Sequence, residues 1–411
     1  MHIRNALKLK STIGGALLIS GSCIGIGMLA LPVVTGLSGF FLSTLLLIGA
    51  SLYMLSTAYL LVELDLGDHP KANIITLAEH TLGSWAKIST WITYLFLFYC
   101  LMIAYIAKGG DIFLLIIQHV GLADYFPEYF GGLALTAVSF LLIFSGNQVV
   151  DLFNRIFVIG LFASFLILII IGLKEFEPSN LQYHDVDYLL PAIPFAITAF
   201  GFHNMIPTIS DYLDRDRRKL ISAIVLGALI AFCVYLVWNI TVQAAVTVGG
   251  SNGLKEAFHK GLIGTEILYF NSHNSLIKLS AIYLSFFAII TSLLGQGLAL
   301  VDFILDGSKL KGNNQNRITI LLSIFIPCYI AAHTIPSVFF IALGLAGGIA
   351  AVYLFCLLPI LMTWSKYRSC SCDSTLSLSG KFTLAGLLTL SILIIGYEIY
   401  HQISNHTNLL T

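Results

Sequence analysis

The chain alternates long apolar runs with short polar connections, and the runs set its architecture. Eleven of them, at 12–35, 37–62, 92–117, 129–146, 153–173, 188–209, 220–246, 276–302, 318–333, 337–363 and 382–400, approach the roughly 20 residues a helix needs to cross the hydrocarbon core. Inside a bilayer, backbone polar groups must pair within the protein, so each run is expected to be a helix, numbered span 1 to span 11. Barrel strands would show shorter, alternating runs. The first run follows Arg4, Lys8 and Lys10, as in a signal peptide. Its length, and the equally apolar runs behind it, assign it instead to a retained span. The expected fold class is all-α and polytopic, embedded in a lipid bilayer.

The polar connections give an orientation. With the N-terminus inside, the inner segments hold 16 Lys and Arg, and the outer ones hold 4: Lys174, Lys255, Lys260 and Lys278. Positive charge accumulates on the cytoplasmic side, so the N-terminus is expected inside and the C-terminus, at Thr411, outside. On this orientation Cys372 is cytoplasmic. Two connections carry their own apolar faces. In 73–87, Ile74, Leu77, Ala78 and Trp85 fall roughly on one helical face, predicting a helix at the membrane surface. In 249–274, Leu254, Phe258, Leu262 and Ile267 predict either a surface helix or a lid over a vestibule.

Composition narrows the function classes. Hydrophobic residues make up 57% of the chain and charged ones 10%, against about 25% charged in a soluble domain. A water-solvated globule is excluded. The formal net charge of zero gives no electrostatic footprint for nucleic acid. The seven cysteines are scattered, and Cys370 and Cys372 stand apart from further ligands, so neither a disulfide framework nor a metal site is expected. There is no His-Glu-x-x-His zinc signature, and Thr375 stands where a phosphate loop ending in Gly380-Lys381 needs glycine. Neither an enzyme nor an ATP-driven pump is indicated, and no cofactor is expected.

Two spans are interrupted in corresponding places. Span 1 carries Gly21, Gly25 and Gly27 before Pro32, and span 6 carries Phe200-Gly201-Phe202-His203-Asn204 before Pro207. Span 6 lies five spans after span 1, an odd offset, so the half at 188–363 should be inverted relative to the half at 12–173, with 382–400 as an eleventh helix. Paired broken helices in inverted halves point to a transporter binding site. The bland alternative is close packing between helices at small residues. A break exposes N–H groups at the start of its second half, suited to a carboxylate, and carbonyls at the end of its first half, suited to an ammonium or a cation. Gly21, Ser22, Cys23, Ile24, Gly25 and Gly27 are the span 1 candidates. In span 6, Phe200 and Phe202 offer faces for an aromatic ring. His203 could hydrogen-bond a phenol or an indole, or carry a proton, or be a packed polar group. Tyr105 adds a polar tip in span 3, where Lys108 and Asp111 share a helical face and can pair. In span 8, the Ala288 carbonyl with the Thr291 and Ser292 hydroxyls could hold a small cation, or the hydroxyls could bond back to their own helix.

At these residues the sequence resembles a known family. Gly14-Gly15-Ala16-Leu17-Leu18-Ile19-Ser20-Gly21-Ser22-Cys23-Ile24-Gly25-Ile26-Gly27-Met28-Leu29-Ala30-Leu31-Pro32 is similar to the opening of bacterial tyrosine and tryptophan permeases, of the hydroxy and aromatic amino acid permease family. Phe200 to His203, Ile206-Pro207, Val150-Asp151 with Asn154-Arg155, Ala104-Tyr105, and Thr291-Ser292 through Asp302-Phe303 continue the resemblance across essentially the whole chain. It implies a leucine-transporter-like fold of two inverted five-helix repeats plus one helix, in a bacterial inner (cytoplasmic) membrane. It implies import of an aromatic amino acid, tyrosine foremost and tryptophan next, by proton symport. The substrate's carboxylate and amine would bind at 21–27, and 200–204 would complete the amine site and meet the ring. Cys23 and Ile26 replace a small hydroxyl or Ala residue common in relatives, and Lys108 is unusual in span 3. Some proton-coupled transporters of this fold replace sodium with a span 5 lysine. Here the basic residue of span 5 is Arg155, which does not release a proton, so sodium held by span 8 stays an alternative. A channel would need a ring of carbonyls or charges, and an intramembrane enzyme a catalytic cluster; neither is visible.

Overall fold

The computed structural model describes residues 11–65, 73–119, 121, 125–127, 129–310, 312–335, 337–369 and 378–410. Among the described residues the secondary structure is helical, with no strand. Nine helices among the described residues are long and apolar enough to span a membrane, and Thr12–Cys23 with Ile26–Gly36, bent by 60°, make a tenth as one broken span. Span 4, Tyr129–Phe144, is apolar but has 16 residues, short of the roughly 20 for a full crossing. Arg4, Lys8, Lys10, Cys370, Cys372 and Thr411 lie outside the described residues.

Helices outrun the apolar runs that signal them. Span 3 is a 36-residue helix, Ser84–His119, and span 8 a 34-residue one, Ser275–Ser308. An apolar run marks the bilayer, whereas the helix continues until its end groups are satisfied elsewhere. Side-chain caps do this at several starts. Ser11 accepts from the Gly14 N–H, and Asn274 from that of Leu276. Asp216 accepts from the N–H groups of Lys219 and Arg218 at the start of span 7, Arg217–Ala245. The Lys219 amide bond holds the exposed Asp216 carboxyl below the usual carboxylate range.

Both structured connections are helical. Asn73 caps Ile74–Leu82, where Ile74, Leu77 and Ala78 are buried as expected. Trp85 departs from the expected face. Gly83, at φ +91°, stops the helix, so Trp85 opens span 3 and is exposed. The other connection folds as two short helices, Leu254–His259 and Gly264–Asn271, called here the lid. Leu254 and Ile267 are buried there, with Phe258 and Leu262 partly so. The lid packs on Ile26–Gly36 and span 8: Leu254 lies on Gly36, Gly264 sits against Trp238 and the Leu29 carbonyl, and Thr265 shares a hydrogen bond with Ser285.

The spans sort into two packed groups. Spans 1, 2, 6 and 7 pack on one another, as do spans 3, 4, 5, 8 and 9. Span 10, Val338–Arg368, bridges the groups by contacting spans 3 and 6, and span 11 lies against it. Both breaks sit inside the first group; the span 1 break meets span 8 at Ser292, and the span 6 break meets span 10 at Phe355.

Candidate functional site

The span 1 break is two residues wide. Ile24 (φ −77°, ψ 96°) and Gly25 (φ −158°, ψ −150°) are extended, which any residue can adopt. What demands glycine at 25 is proximity: a Cβ there would lie 2.7 Å from the Ser292 hydroxyl of span 8. Gly27 faces span 6, where its Cβ would meet the Ala199 Cα at 3.5 Å. Gly21 is exposed, with open space where a Cβ would go, and Ser22 beside it is exposed too. The three glycines thus serve three different surroundings.

Span 6 breaks after Leu189–Ala199. Residues 200–202 leave the helix, a single 3-10 turn covers His203–Met205, and Ile206–Tyr212 follows. Pro207 is tolerated in the first turn of that second half, where an N–H would lack a partner anyway. Gly201 packs near the Phe355 ring, and Asn204 is exposed.

One side chain ties the two breaks together, and the sequence pattern did not reveal it. The Tyr235 hydroxyl of span 7 donates to the carbonyl of Cys23, at 2.7 Å, and to that of Ala199, at 2.7 Å. These are the last helical residues before each break. Phe200 lies edge-on to the Tyr235 ring at 5.2 Å, and both are fully buried. A buried tyrosine hydroxyl needs a partner, which is the only signal that Tyr235 offered.

The structure places the His203 ring among helices rather than in open space. Its Nε2 is 3.0 Å from the Thr57 hydroxyl of span 2. Its faces stack on Phe202 at 5.1 Å and on Phe355 at 5.2 Å. Phe355 belongs to a π-helical stretch, Ala346–Leu357, in span 10. Such widened turns often sit at functional sites.

In span 8, Thr291 bonds back to its own helix, donating to the carbonyls of Phe287 at 2.7 Å and Ala288 at 3.2 Å. Ser292 is the hydroxyl that meets span 1, beside Gly25. In span 3, Tyr105 is buried. Lys108 pairs with Asp111 at 2.9 Å, the pairing its spacing allows, and with Glu266 of the lid at 3.1 Å. Glu266 escaped the sequence reading because it lies in a connection, outside any apolar run.

Residues 8–398 match the profile of the tryptophan/tyrosine permease family. The chain belongs to that family. It is 32% identical over 396 residues to tyrosine-specific transport system 1 of Haemophilus influenzae, covering 94% of this chain and 96% of the relative. It is 28% identical over 409 residues to the tryptophan-specific transport protein of the same organism, covering 94% and 95%. The crystal structure of MhsT in complex with L-phenylalanine superimposes with a TM-score of 0.63 at 16% identity, covering 94% of this chain and 97% of that one. The fold is leucine-transporter-like. This family member is a multi-pass amino-acid transport protein, not an enzyme.

Proposed function

We propose that the chain is a secondary transporter that imports an aromatic amino acid, tyrosine before tryptophan, by proton symport with alternating access. The observation that carries this reading is the pair of broken helices joined at their break points by Tyr235. The N–H groups opening Ile26–Gly36 offer the positive end of a helix dipole to the substrate carboxylate. Carbonyls at 21–24 and the 200–204 turn receive the ammonium, while Phe200 and Tyr105 border the ring. The 12–173 and 188–363 halves act as inverted repeats, the N-terminus lies in the cytoplasm, and the membrane is the bacterial inner one. Tyrosine comes first because the tyrosine-specific relative is the more similar of the two compared.

Access follows from the packing. The lid covers the break from the side of Ile26–Gly36, whereas Thr12–Cys23 packs mainly on span 7 and leaves Gly21 and Ser22 exposed. Together with exposed Asn204, these lie on the path that the proposed orientation makes cytoplasmic. The proton is placed first as the coupling ion on the family resemblance; the Thr291 hydroxyl donates to carbonyls of its own helix and keeps its oxygen lone pairs for an acceptor role.

The test is tyrosine uptake into proteoliposomes, with every other amino acid as competitor, under an inward proton or an inward sodium gradient. The expected result is accumulation under the proton gradient, inhibited by tyrosine and tryptophan above all. Accumulation driven by sodium at equal pH and zero membrane potential, and abolished by Thr291→Val, would overturn the proton reading.

A further inference from the structure

A carboxylate and an ammonium from opposite sides of the lid contact are both withdrawn from water. The side chains of Lys108 and Glu266 are each 3% exposed, with Nζ to Oε2 at 3.1 Å. The same Oε2 accepts the Ile263 N–H at 2.8 Å, so Glu266 also caps the second lid helix. Phe339 places its ring face 5.6 Å from the Lys108 ammonium. The other partner of Lys108, Asp111, lies one turn along the same helix and is 58% exposed.

The two partners of Lys108 differ in what ties them to it. Asp111 rides on span 3 and stays with Lys108 whatever the lid does. Glu266 rides on the lid, and it loses Lys108 when the lid lifts. Burying either charge alone is strongly unfavourable, whereas the pair is tolerated. The closed lid therefore needs both groups, and the open lid leaves each with a remaining partner: Asp111 for Lys108, water for Glu266.

We propose that Glu266 is a positioning residue for transport, which acts through Lys108 to latch the lid over the substrate break. This rests on the transporter reading above and adds to it the residue pair that closes the lid-side path. Asp111 serves as the resting partner of Lys108 when the latch is open.

The experiment is hydrogen exchange of the full chain in lipid nanodiscs, read peptide by peptide by mass spectrometry, on K108M, E266Q and the double variant K108M/E266Q. K108M strands the Glu266 carboxylate, so exchange in peptides covering 254–271 should rise by at least about tenfold. E266Q leaves Lys108 with Asp111, so its rise should be smaller. The double variant buries no unpaired charge, so its lid should exchange no faster than that of E266Q. Span 4 and span 6 peptides should keep wild-type exchange in all three. Lid exchange unchanged by K108M, or singles whose effects multiply in the double variant, would overturn the latch, as would a rise spread evenly over all spans. Tyrosine uptake is measured in parallel. Absence of uptake by the wild type would count against the transporter reading while leaving the exchange result to judge the latch alone.

Discussion

Tyr235 holds the end of the first half of span 1 through the carbonyl of Cys23, at 2.7 Å, and it reaches the equivalent point in span 6, the Ala199 carbonyl, at the same distance. A phenol has one proton, so the two carbonyls share it. Tyr235→Phe keeps the ring against Phe200 and leaves two buried carbonyls short of a donor. Stability should fall by about 1–3 kcal/mol, seen as an earlier thermal unfolding in detergent. Uptake should fall by at least about tenfold, because both break points lose their common tether. Wild-type uptake in Tyr235→Phe would separate this contact from transport.

Gly25 is needed for the space it leaves. Gly25→Leu should abolish uptake while the protein still reaches the membrane, since its side chain would run into Ser292 of span 8. Gly25→Ala asks for less room, and the added Cβ meets a hydroxyl 2.7 Å away that Ser292→Gly removes. Gly25→Ala/Ser292→Gly should therefore transport better than Gly25→Ala alone. No rescue in the double variant would mean that the alanine harms something other than the span 8 contact.

His203 is held by Thr57 and sandwiched by two phenylalanines, so its loss should be felt equally by different substrates. His203→Leu is expected to reduce tyrosine and phenylalanine uptake by the same factor, and Thr57→Val should reproduce part of the effect. A loss confined to tyrosine would place the imidazole against the ring hydroxyl of the substrate.

Asp216 caps span 7 with a carboxylate that the Lys219 and Arg218 amides keep ionised. Its folded pKa lies below the unfolded one, so its stabilising contribution is complete above the unfolded value, about 4. That contribution is lost as pH falls through the lowered folded value. Asp216→Ala should thus unfold earlier than wild type at pH 7, and the gap should narrow on strong acidification. A gap independent of pH would assign the effect to helix packing.

Much of the architecture is legible in the sequence. Span lengths follow from the hydrocarbon thickness, and the positions of the breaks follow from Gly21 to Gly27 and from Phe200-Gly201-Phe202. The helices in the two connections were readable from Leu254, Ile267, Ile74 and Leu77. Helix ends were not, because they depend on single caps such as Asp216 and on Gly83. Trp85 illustrates this: one glycine moved it from the buried face of one helix to the exposed start of the next.

The sequence by itself determined the number of apolar runs, their helical form and the two places where helices are interrupted, because each depends on residues adjacent in the chain. Tertiary structure decided which side chains meet. Tyr235 finds Cys23 across 212 positions, His203 finds Thr57 across 146, and Lys108 finds Glu266 across 158. Periodicity assigns a residue to a face of its own helix and says nothing about the helix that comes to lie against that face. In a bundle whose lipid-facing and protein-facing surfaces are alike in apolarity, only the packing of whole spans settles that choice.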